Sequence, residues 1–573
     1  MAENINNATY ISHVSSVSSG SSALMLFEQS LDQAPEINRN VLFRILNDNK
    51  DTEYGRKYGF SDIHSVEEYR RRVPVIIYDN IAESLERMRD GAKNVLTSYA
   101  FNHMNTTSGT VGNPKLVPLT QQQAQVYQIY NFMIPQAVIN RNVDEQWMYG
   151  RAFCTAEGSA KTMESGISVG CASSKMAEFI KGGVSAADTI LRTLYTSPWE
   201  ATNPVPGDNN KYVHARFALM DGHISGIITG FYSHLVLYFK YISDNYELLI
   251  DDIEKGTIST DIELSDSVRQ SLLAKIDPMP ERAAQLREIF RNGSEGVKWV
   301  SLVWPDLKYI SGVGADGFSM YDRIIKENYL DVSSGVKHFY SGIAASEGLW
   351  SVVMKPDCPD SVMIPQSAFF EFQPVEEGDD FSKIVSMDQL EVGRVYEIIV
   401  TNMCGFYRYR TSDAVKVTGF MGRSPLVQFM YRVNKTINLV AEKTTEKALQ
   451  WAIENTCNEL GIDLADFSVY ADPTETPGQY VFLIEPRNTV SGFDMKLLES
   501  VLTRYMYQAN PSYERAVQKE RIMPLKAMFL QPETSLLYRD MMTYKGASQS
   551  QLKPVHIISN ELQRKFFFGL LQD

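Results

Sequence analysis

The sequence predicts an α/β protein with a large N-terminal domain and a small C-terminal domain, and three observations support this prediction. A chain of 573 residues is too long for one ordinary hydrophobic core, and 44% hydrophobic residues can fill more than one. Helical patterns alternate with β-branched runs up to residue 431, which is typical of α/β domains. Beyond residue 431 the pattern changes to a smaller set of helices and strands.

The first elements along the chain are a Ser-rich lead and an apolar window. Residues 1–22 lack the features of a secretory signal, and we expect them to be flexible. Residues 225–242 form the most apolar window, but Ser233, His234 and Lys240 interrupt it and would be costly in a membrane span. We therefore predict a buried core helix there and no membrane partner.

Strands are predicted next at residues 307–311, 394–402 and 414–420, and the last two should form a hairpin. A strand ends in polar residues near Arg432, which favours a hinge and gives domains of residues 1–431 and 432–573. In the second domain "TTEKALQWAIENTCNELG" and "DMKLLESVLTRYMYQ" predict helices, and "FSVYAD" and "QYVFLIEP" predict strands.

Composition narrows the class of partner. The chain has 55 Lys and Arg against 69 Asp and Glu, a net charge of −14, which disfavours nucleic acid and favours small-molecule chemistry. Five cysteines without a CxxC pair argue against a disulfide framework and a zinc site, so we expect a reducing, cytoplasmic location. The eight histidines lack HExxH spacing, and no obligate protein partner is evident.

A stretch rich in Gly and hydroxyl residues, "NTTSGTVGNPKLVP" at 105–118, is a candidate phosphate loop. Glycine permits close backbone approach, hydroxyl groups add donors, and Lys115 could add a point charge. Its spacing differs from the GxxxxGK[ST] loop of nucleoside triphosphatases. Taken alone, an ordinary polar turn is an equally good interpretation.

Two other glycine motifs have ordinary alternatives. "GVGADG" at 312–317 fits the dinucleotide fingerprint GxGxxG, but a plain strand-to-helix turn is the favoured interpretation. "GISVG" at 166–170 fits GxSxG, but no buried apolar strand precedes it, so Ser168 is expected to be structural.

Two carboxylates stand out later in the chain. Glu347 in "GIAASEGLW" could bind Mg²⁺ beside a phosphate loop, although "SEG" also suits a helix start. Asp413 in "GFYRYRTSDAVKV" could accept hydrogen bonds from ribose hydroxyls, or it could lie in the turn of an edge strand.

Together and in this order, these stretches resemble the adenylate-forming superfamily of acyl-CoA ligases, adenylation domains and luciferases. "TSGTVGNPK" and "YRTSD" match two of its motifs, with Val111 replacing Thr and Ser412 replacing Gly. The chain is most similar to the auxin-responsive acyl-acid amido synthetases of the Gretchen Hagen family, which join a carboxylic acid to an amino acid. That likeness covers most of the chain and includes "AFFEFQPV", "WPDLKYISGVGADG", "VGRVYEIIVTNMCGFYRYR", "NLVAEKTTEKAL" and "GASQSQLKP".

The resemblance implies the adenylate-forming fold, with a large α/β domain containing a β-barrel and sheets and a small, mobile α+β domain. It also implies ATP and Mg²⁺ as cofactors, a small carboxylic acid as substrate and an amino acid as acceptor. Two alternatives stay open: an acyl-CoA ligase with a thiol acceptor, and a homologue that binds nucleotide or acid without turnover.

The resemblance also assigns roles to residues. Lys553 and Glu347 are the catalytic residues, and Glu347 is the metal ligand as well. Ile343 stands where plant members have a Tyr, so an aromatic stack on adenine is lost or supplied from elsewhere. The implied nucleotide-binding residues are Thr107, Ser108, Gly109, Thr110, Ala315, Ile343, Ala345, Ser346, Asp413, Arg432 and Lys443.

The acid pocket is expected in the helix that follows the phosphate loop. Tyr127, Tyr130 and Met133 lie at three-residue spacing and therefore on one side of that helix. A core face of the large domain is an equally good interpretation of the same spacing.

Overall fold

The computed structural model describes residues 2–572 except 107–114, 159, 171–182, 206–207, 292–297, 316–318, 434–435, 438, 440–441, 443, 475–476, 546 and 548–551. These residues form two compact units. The larger runs to residue 411 and includes 416–428, and the smaller comprises 412–415 and the chain from 429 onward. The long segment of the smaller unit begins at residue 429, and the domain boundary at Arg432 stays a prediction.

The α-helices are α1 (Ala2–Ser30), α2 (Ala34–Asn49), α3 (Glu53–Tyr58), α4 (Val66–Arg72), α5 (Ala82–Arg89), α6 (Gln121–Tyr127), α7 (Ile134–Asn142), α8 (Gly183–Leu194), α9 (Trp199–Thr202), α10 (Asn210–Met220), α11 (Tyr232–Lys255), α12 (Asp266–Leu273), α13 (Pro280–Arg291), α14 (Trp299–Val303), α15 (Ser319–Ile324), α16 (Glu446–Leu460), α17 (Met495–Ala509), α18 (Pro511–Gln518), α19 (Thr534–Tyr544) and α20 (Glu561–Phe568). A π-helical turn, Gln128–Met133, joins α6 to α7.

The strands are β1 (Phe101–Thr106), β2 (Leu116–Thr120), β3 (Ala152–Cys154), β4 (Ala160–Thr162), β5 (Ser168–Gly170), β6 (Gly226–Phe231), β7 (Tyr309–Val313), β8 (Lys337–Tyr340), β9 (Ala344–Ala345), β10 (Gly348–Leu349), β11 (Ser351–Val353), β12 (Ser361–Met363), β13 (Phe369–Pro374), β14 (Val395–Thr401), β15 (Tyr409–Met421), β16 (Ser424–Arg432), β17 (Thr436–Ile437), β18 (Thr444–Thr445), β19 (Leu464–Asp472), β20 (Gln479–Pro486) and β21 (Lys526–Phe529).

The α/β core of the larger unit is a parallel sheet of order β3-β6-β7-β8. The prediction of a single helix over 225–242 is wrong, because β6 occupies its first part and α11 begins only at Tyr232. Ile227 and Ile228 are β-branched and pair with β7. A Cβ on Gly226 would lie 2.2 Å from the ring of Tyr309, so glycine permits this close strand packing.

Two further sheets carry the residues around the candidate site. β1 pairs with β2 antiparallel and with β5 parallel, in the order β2-β1-β5-β4. The larger sheet has the order β11-β12-β16-β15-β14-β13 and, among the described strands, is open at β11 and β13. The predicted strands at 307–311, 394–402 and 414–420 correspond to β7, β14 and part of β15, and β14 and β15 are neighbours as expected.

The expectation of a flexible segment over residues 1–22 is wrong, because α1 packs against α7 and the π-helical turn. Its small residues allow a close approach: a Cβ on Gly20 would lie 2.2 Å from the carbonyl oxygen of Met133. His13 donates from Nδ1 to the carbonyl of Met148 at 2.8 Å, and Val17 is buried. Most serines of α1 are exposed, so the packing of this helix depends on residues such as His13, Val17 and Gly20 and not on its Ser-rich composition.

The smaller unit contains the sheet β19-β20-β21, in which β19 and β20 are antiparallel and β20 and β21 are parallel. The predicted helices are confirmed as α16 and α17. Thr445 caps α16 by accepting from the backbone N–H of Ala448, and Gly461 ends it at φ +68°. Asp494 caps α17 in the same way.

Across the described residues, every helix is too short or too polar to cross a bilayer.

Candidate functional site

Glu347 lies in a tight turn between two short strands. Ser346 and Glu347 connect β9 to β10, where Ala345 pairs with Gly348. A helix start, the alternative left open for "SEG", is therefore not what these residues form. A Cβ on Gly348 would lie 2.4 Å from the ring of Trp350, so the turn requires glycine at that position. The Glu347 side chain is buried, with 8% of its surface exposed.

A lysine, a phenol and this carboxylate are joined by hydrogen bonds. The Tyr409 hydroxyl donates to Oε1 of Glu347 at 3.0 Å, and Lys115 Nζ donates to the same hydroxyl at 3.2 Å. Lys115 Nζ also lies 5.3 Å from the ring centroid of Tyr78, a cation–π distance. Positive charge at the end of the phosphate-loop sequence is thus connected to the candidate metal ligand through one hydroxyl.

Three side chains hold the backbone of the turn. Asn402 Nδ2 donates to the carbonyl of Glu347 at 2.8 Å, and Asn105 Nδ2 donates to that of Ser346 at 3.3 Å. The Tyr127 hydroxyl donates to the carbonyl of Ala345 at 3.1 Å. Burial raises the pKa of Tyr127, so this phenol stays a neutral donor.

Of the other two residues predicted for the acid pocket, Tyr130 makes core contacts. The ring of Tyr130 meets the ring of Phe27 edge-on, with centroids 5.3 Å apart, inside a hydrophobic cluster of the larger unit. Met133 is half-buried, and its backbone carbonyl oxygen lies close to Gly20 of α1. The contacts of Tyr130 fit the core-face interpretation, whereas the Tyr127 hydroxyl contacts the turn.

Ile343 is buried and anchored through its backbone. Its N–H donates to Ser351 Oγ at 2.8 Å, and its carbonyl accepts from the N–H of Trp350 at 2.8 Å. The aliphatic sec-butyl side chain of Ile343 has no π face to stack on a base. Ala315 lies just beyond β7 and is half-buried.

Asp413 and Arg432 form an ion pair within the smaller unit. Arg432 Nε donates to Oδ1 of Asp413 at 2.9 Å, and Asp413 is 3% exposed. The preceding residue, Ser412, has φ +63°, in the left-handed region that favours glycine. This conformation explains why the superfamily motif has Gly where this chain has Ser, and the substitution leaves a strained residue beside the candidate ribose ligand.

Several predicted residues lie outside the described part of the chain. They are Thr107, Ser108, Gly109, Thr110 and Lys443, whose roles stay predictions. Lys553 lies in the described part of the chain, and its side chain is exposed. The segment just after it lies alongside β19, where Ile557 forms a parallel bridge with Val469. Among the described residues, acidic, His and Cys side chains do not gather in groups of three that could hold a metal unaided.

Local sequence patterns did not predict a role for Tyr409, Asn402, Asn105 or Tyr78. A role for Tyr409 could have been predicted, since this residue begins the "YRTSD" motif and alternates with arginines on a strand. The two asparagines carry no local signal, because each acts on a turn far away along the chain.

Comparison with protein families gives matches along most of the chain. Residues 23–333 match the GH3 family N-terminal domain, residues 361–432 its central domain and residues 447–562 its C-terminal domain. Indole-3-acetic acid-amido synthetase GH3.3 of Arabidopsis thaliana is 26% identical over 577 residues, covering 94% of this chain and 91% of that protein. Jasmonoyl–L-amino acid synthetase GH3.5 of Oryza sativa subsp. japonica is 24% identical over 560 residues, covering 93% and 94%.

A solved structure has the same fold. The GH3.15 acyl acid amido synthetase superposes with a TM-score of 0.83 at 22% identity and covers 96% of each chain. A second structure of that enzyme, in complex with 2,4-DB, gives a TM-score of 0.81 at 21% identity. The chain thus has the fold of this acyl acid amido synthetase, and the predicted α/β class is confirmed.

Proposed function

The chain belongs to the GH3 family, the Gretchen Hagen family of the sequence resemblance, since that family's N-terminal domain alone matches more than half of it, and we propose that it is an ATP-dependent acyl-acid amido synthetase. It adenylates a small carboxylic acid, releasing pyrophosphate, and then transfers the acyl group to an amino acid. The single observation that carries this proposal is the buried Glu347, joined through Tyr409 to Lys115.

The first half-reaction brings an anion to a polyanion. The acid's carboxylate oxygen attacks the α-phosphorus of ATP, and the bond from that phosphorus to the bridging oxygen of pyrophosphate breaks. Lys115 and Lys553 supply positive charge against this repulsion, and Asp413 accepts hydrogen bonds from the ribose hydroxyls. The phosphate-loop residues 107–110 add donors to the phosphates.

Glu347 is the candidate Mg²⁺ ligand. The carboxylate oxygens of Glu347 are hard ligands, and one of them accepts a hydrogen bond from the Tyr409 hydroxyl. Such a carboxylate suits Mg²⁺, which takes one or two carboxylates together with substrate phosphates. Bound there, Mg²⁺ would neutralise phosphate charge. The Tyr409 hydroxyl orients the carboxylate, and Asn402 holds the backbone carbonyl of the same residue.

The second half-reaction needs an amine at the acyl carbon. The amino acid attacks the acyl carbon of the adenylate, an amide bond forms, and AMP leaves. Lys553 acts on the α-phosphate in the first step alone, and we assign the small domain, residues 432–573, the movement that separates the two steps. The five cysteines without a CxxC pair support a reducing location such as the cytoplasm.

The test is pyrophosphate release from ATP and Mg²⁺ across a panel of aryl and alkyl carboxylic acids. Acid-dependent release that amino acids increase supports the proposal. Greater stimulation by CoA than by any amino acid would instead identify an acyl-CoA ligase, and acid or AMP binding without release would identify a homologue that does not turn over.

Matched variants separate chemistry from folding. Glu347→Gln and Lys553→Ala should each lower acid-dependent release at least tenfold. Glu376→Gln, which changes an exposed carboxylate that pairs with Arg394, should leave it unchanged. Equal activity in all three variants would refute the assignment of Glu347 and Lys553.

A further inference from the structure

The segment that carries Lys553 is built onto the edge of the smaller unit's sheet. The N–H of Val469, in β19, donates to the carbonyl of His556 at 2.9 Å, and the N–H of Ile558 donates to the carbonyl of Val469 at 2.9 Å. These two bonds form a parallel bridge beside β19. The backbone three residues after Lys553 is therefore fixed by the sheet.

Side chains hold the same segment closer to the lysine. Arg539, in α19, donates from Nη2 to the carbonyl of Leu552 at 2.8 Å. The hydroxyl of Ser468 donates to the carbonyl of Val555. Residues on both sides of Lys553 are thus tied to the body of the smaller unit, while the lysine side chain stays exposed.

The His556 ring lies in a buried set of charges. Its Nδ1 is 2.7 Å from Oε1 of Glu446, at the start of α16, and its Nε2 is 3.2 Å from Oδ1 of Asp466, in β19. The ring stacks on Phe467 with centroids 4.4 Å apart and planes 7° apart. Only the imidazolium has a proton on each nitrogen, so only the charged form donates to both carboxylates.

The surrounding groups favour that charged form. Burial lowers the pKa of His556, but hydrogen bonds to Asp466 and Glu446 outweigh burial and raise the pKa to about 10. Glu485, in β20, faces Asp466, and burial followed by the Asp466 charge raises the pKa of Glu485 to about 7. The stabilisation from His556 is complete below its ordinary pKa of 6.5 and is lost as pH rises through about 10.

We propose that His556 is a positioning residue that fixes the backbone next to Lys553 and thereby the direction in which the lysine side chain extends from the smaller unit. Its imidazolium joins the start of α16 to β19 and holds the chain three residues away from the lysine. The inference rests on the proposed function, in which Lys553 acts in adenylation and not in amide formation. Loss of His556 should therefore impair one half-reaction and spare the other.

The experiment measures the two half-reactions separately in the full-length protein. Acid-dependent ATP–pyrophosphate exchange, with the most active acid of the panel, reports adenylation. Reaction of the synthetic adenylate of that acid with an amino acid reports amide formation. His556→Gln should lower exchange 10- to 100-fold and change aminolysis less than twofold, and Lys553→Ala should show the same split.

A double variant and a control make the result specific. Lys553→Ala combined with His556→Gln should be no slower in exchange than Lys553→Ala alone. His13→Gln removes another buried histidine, one that bonds to the Met148 carbonyl in the larger unit, and should not separate the half-reactions. Equal losses in both half-reactions for His556→Gln, or no loss in either, would overturn the inference.

Two further measurements cover a variant that folds poorly and a protein that does not adenylate. Glu446→Gln keeps one of the two carboxylate partners and should give a smaller fall confined to exchange. Amide hydrogen exchange over residues 552–558 should be faster in His556→Gln than in wild type, and unchanged protection there would overturn the inference without any activity assay. Absence of exchange in the wild type contradicts the proposed function instead.

Discussion

Removing the Tyr409 hydroxyl tests the hydrogen-bond chain from Lys115 to Glu347 directly. In Tyr409→Phe the buried Glu347 carboxylate loses a donor at 3.0 Å, and Lys115 loses an acceptor at 3.2 Å. A hydrogen bond to a charged group contributes ~1.5–3 kcal/mol. Because the carboxylate must keep its direction while phosphate charge develops, we expect a loss of the same size in adenylation, roughly a 10- to 150-fold lower rate.

The assay is acid-dependent ATP–pyrophosphate exchange at saturating ATP, with Tyr407→Phe as the matched control. Tyr407 is also buried and lies two residues away, but its hydroxyl donates to the carbonyl of Leu96 at 2.7 Å and makes no contact with Glu347. Tyr407→Phe should lose stability while keeping its exchange rate per folded molecule. An unchanged rate in Tyr409→Phe, or equal rate losses in both variants, would refute the reasoning.

Three other substitutions have expected outcomes in stability. Ser412→Gly relieves a left-handed residue and should raise the free energy of unfolding by ~0.5–1 kcal/mol, so a lower urea midpoint at unchanged slope would contradict it. Gly20→Val should push α1 away from the Met133 carbonyl and lower the free energy of unfolding, followed by thermal melting, by ~1–3 kcal/mol. Ser19→Val, on the exposed side of the same helix, should lower it far less. The raised pKa of Glu485 means that its protonated form is favoured in the folded state, so the free energy of unfolding falls as pH rises from the ordinary pKa of a glutamate to about 7. In Glu485→Gln, the free energy of unfolding in urea should therefore change by about 2–3 kcal/mol less between pH 5 and pH 8 than in the wild type. An identical pH dependence in the two proteins would refute this assignment.

The smaller unit could be predicted well because its signals are local. The cap at Thr445, the left-handed stop at Gly461 and the apolar run of β20 each involve neighbours within a few residues. The strand positions 307–311 and 394–402 were found for the same reason. Family motifs then gave the fold, since their order along the chain does not depend on any contact being known.

The site itself depends on contacts that local patterns do not record. Tyr409 meets Glu347 across 62 residues and Lys115 across 294, so neither bond leaves a sequence period. The window 225–242 was predicted as one helix from its apolar content, which does not record that a strand ends at Phe231 and a helix begins at Tyr232. The Ser-rich start was misjudged on composition, which does not distinguish a loose segment from a closely packed helix.

Helix α1 determines how far the protein can be shortened for expression. The GH3 N-terminal domain match begins at residue 23, so a chain trimmed to that boundary would start in the last third of a 29-residue helix. It would lose the bond from His13 to Met148 and the stack of Tyr10 on Tyr149, whose centroids are 4.3 Å apart. The exposed side of α7 would then be an apolar surface, and such a fragment would aggregate even though it holds every family motif.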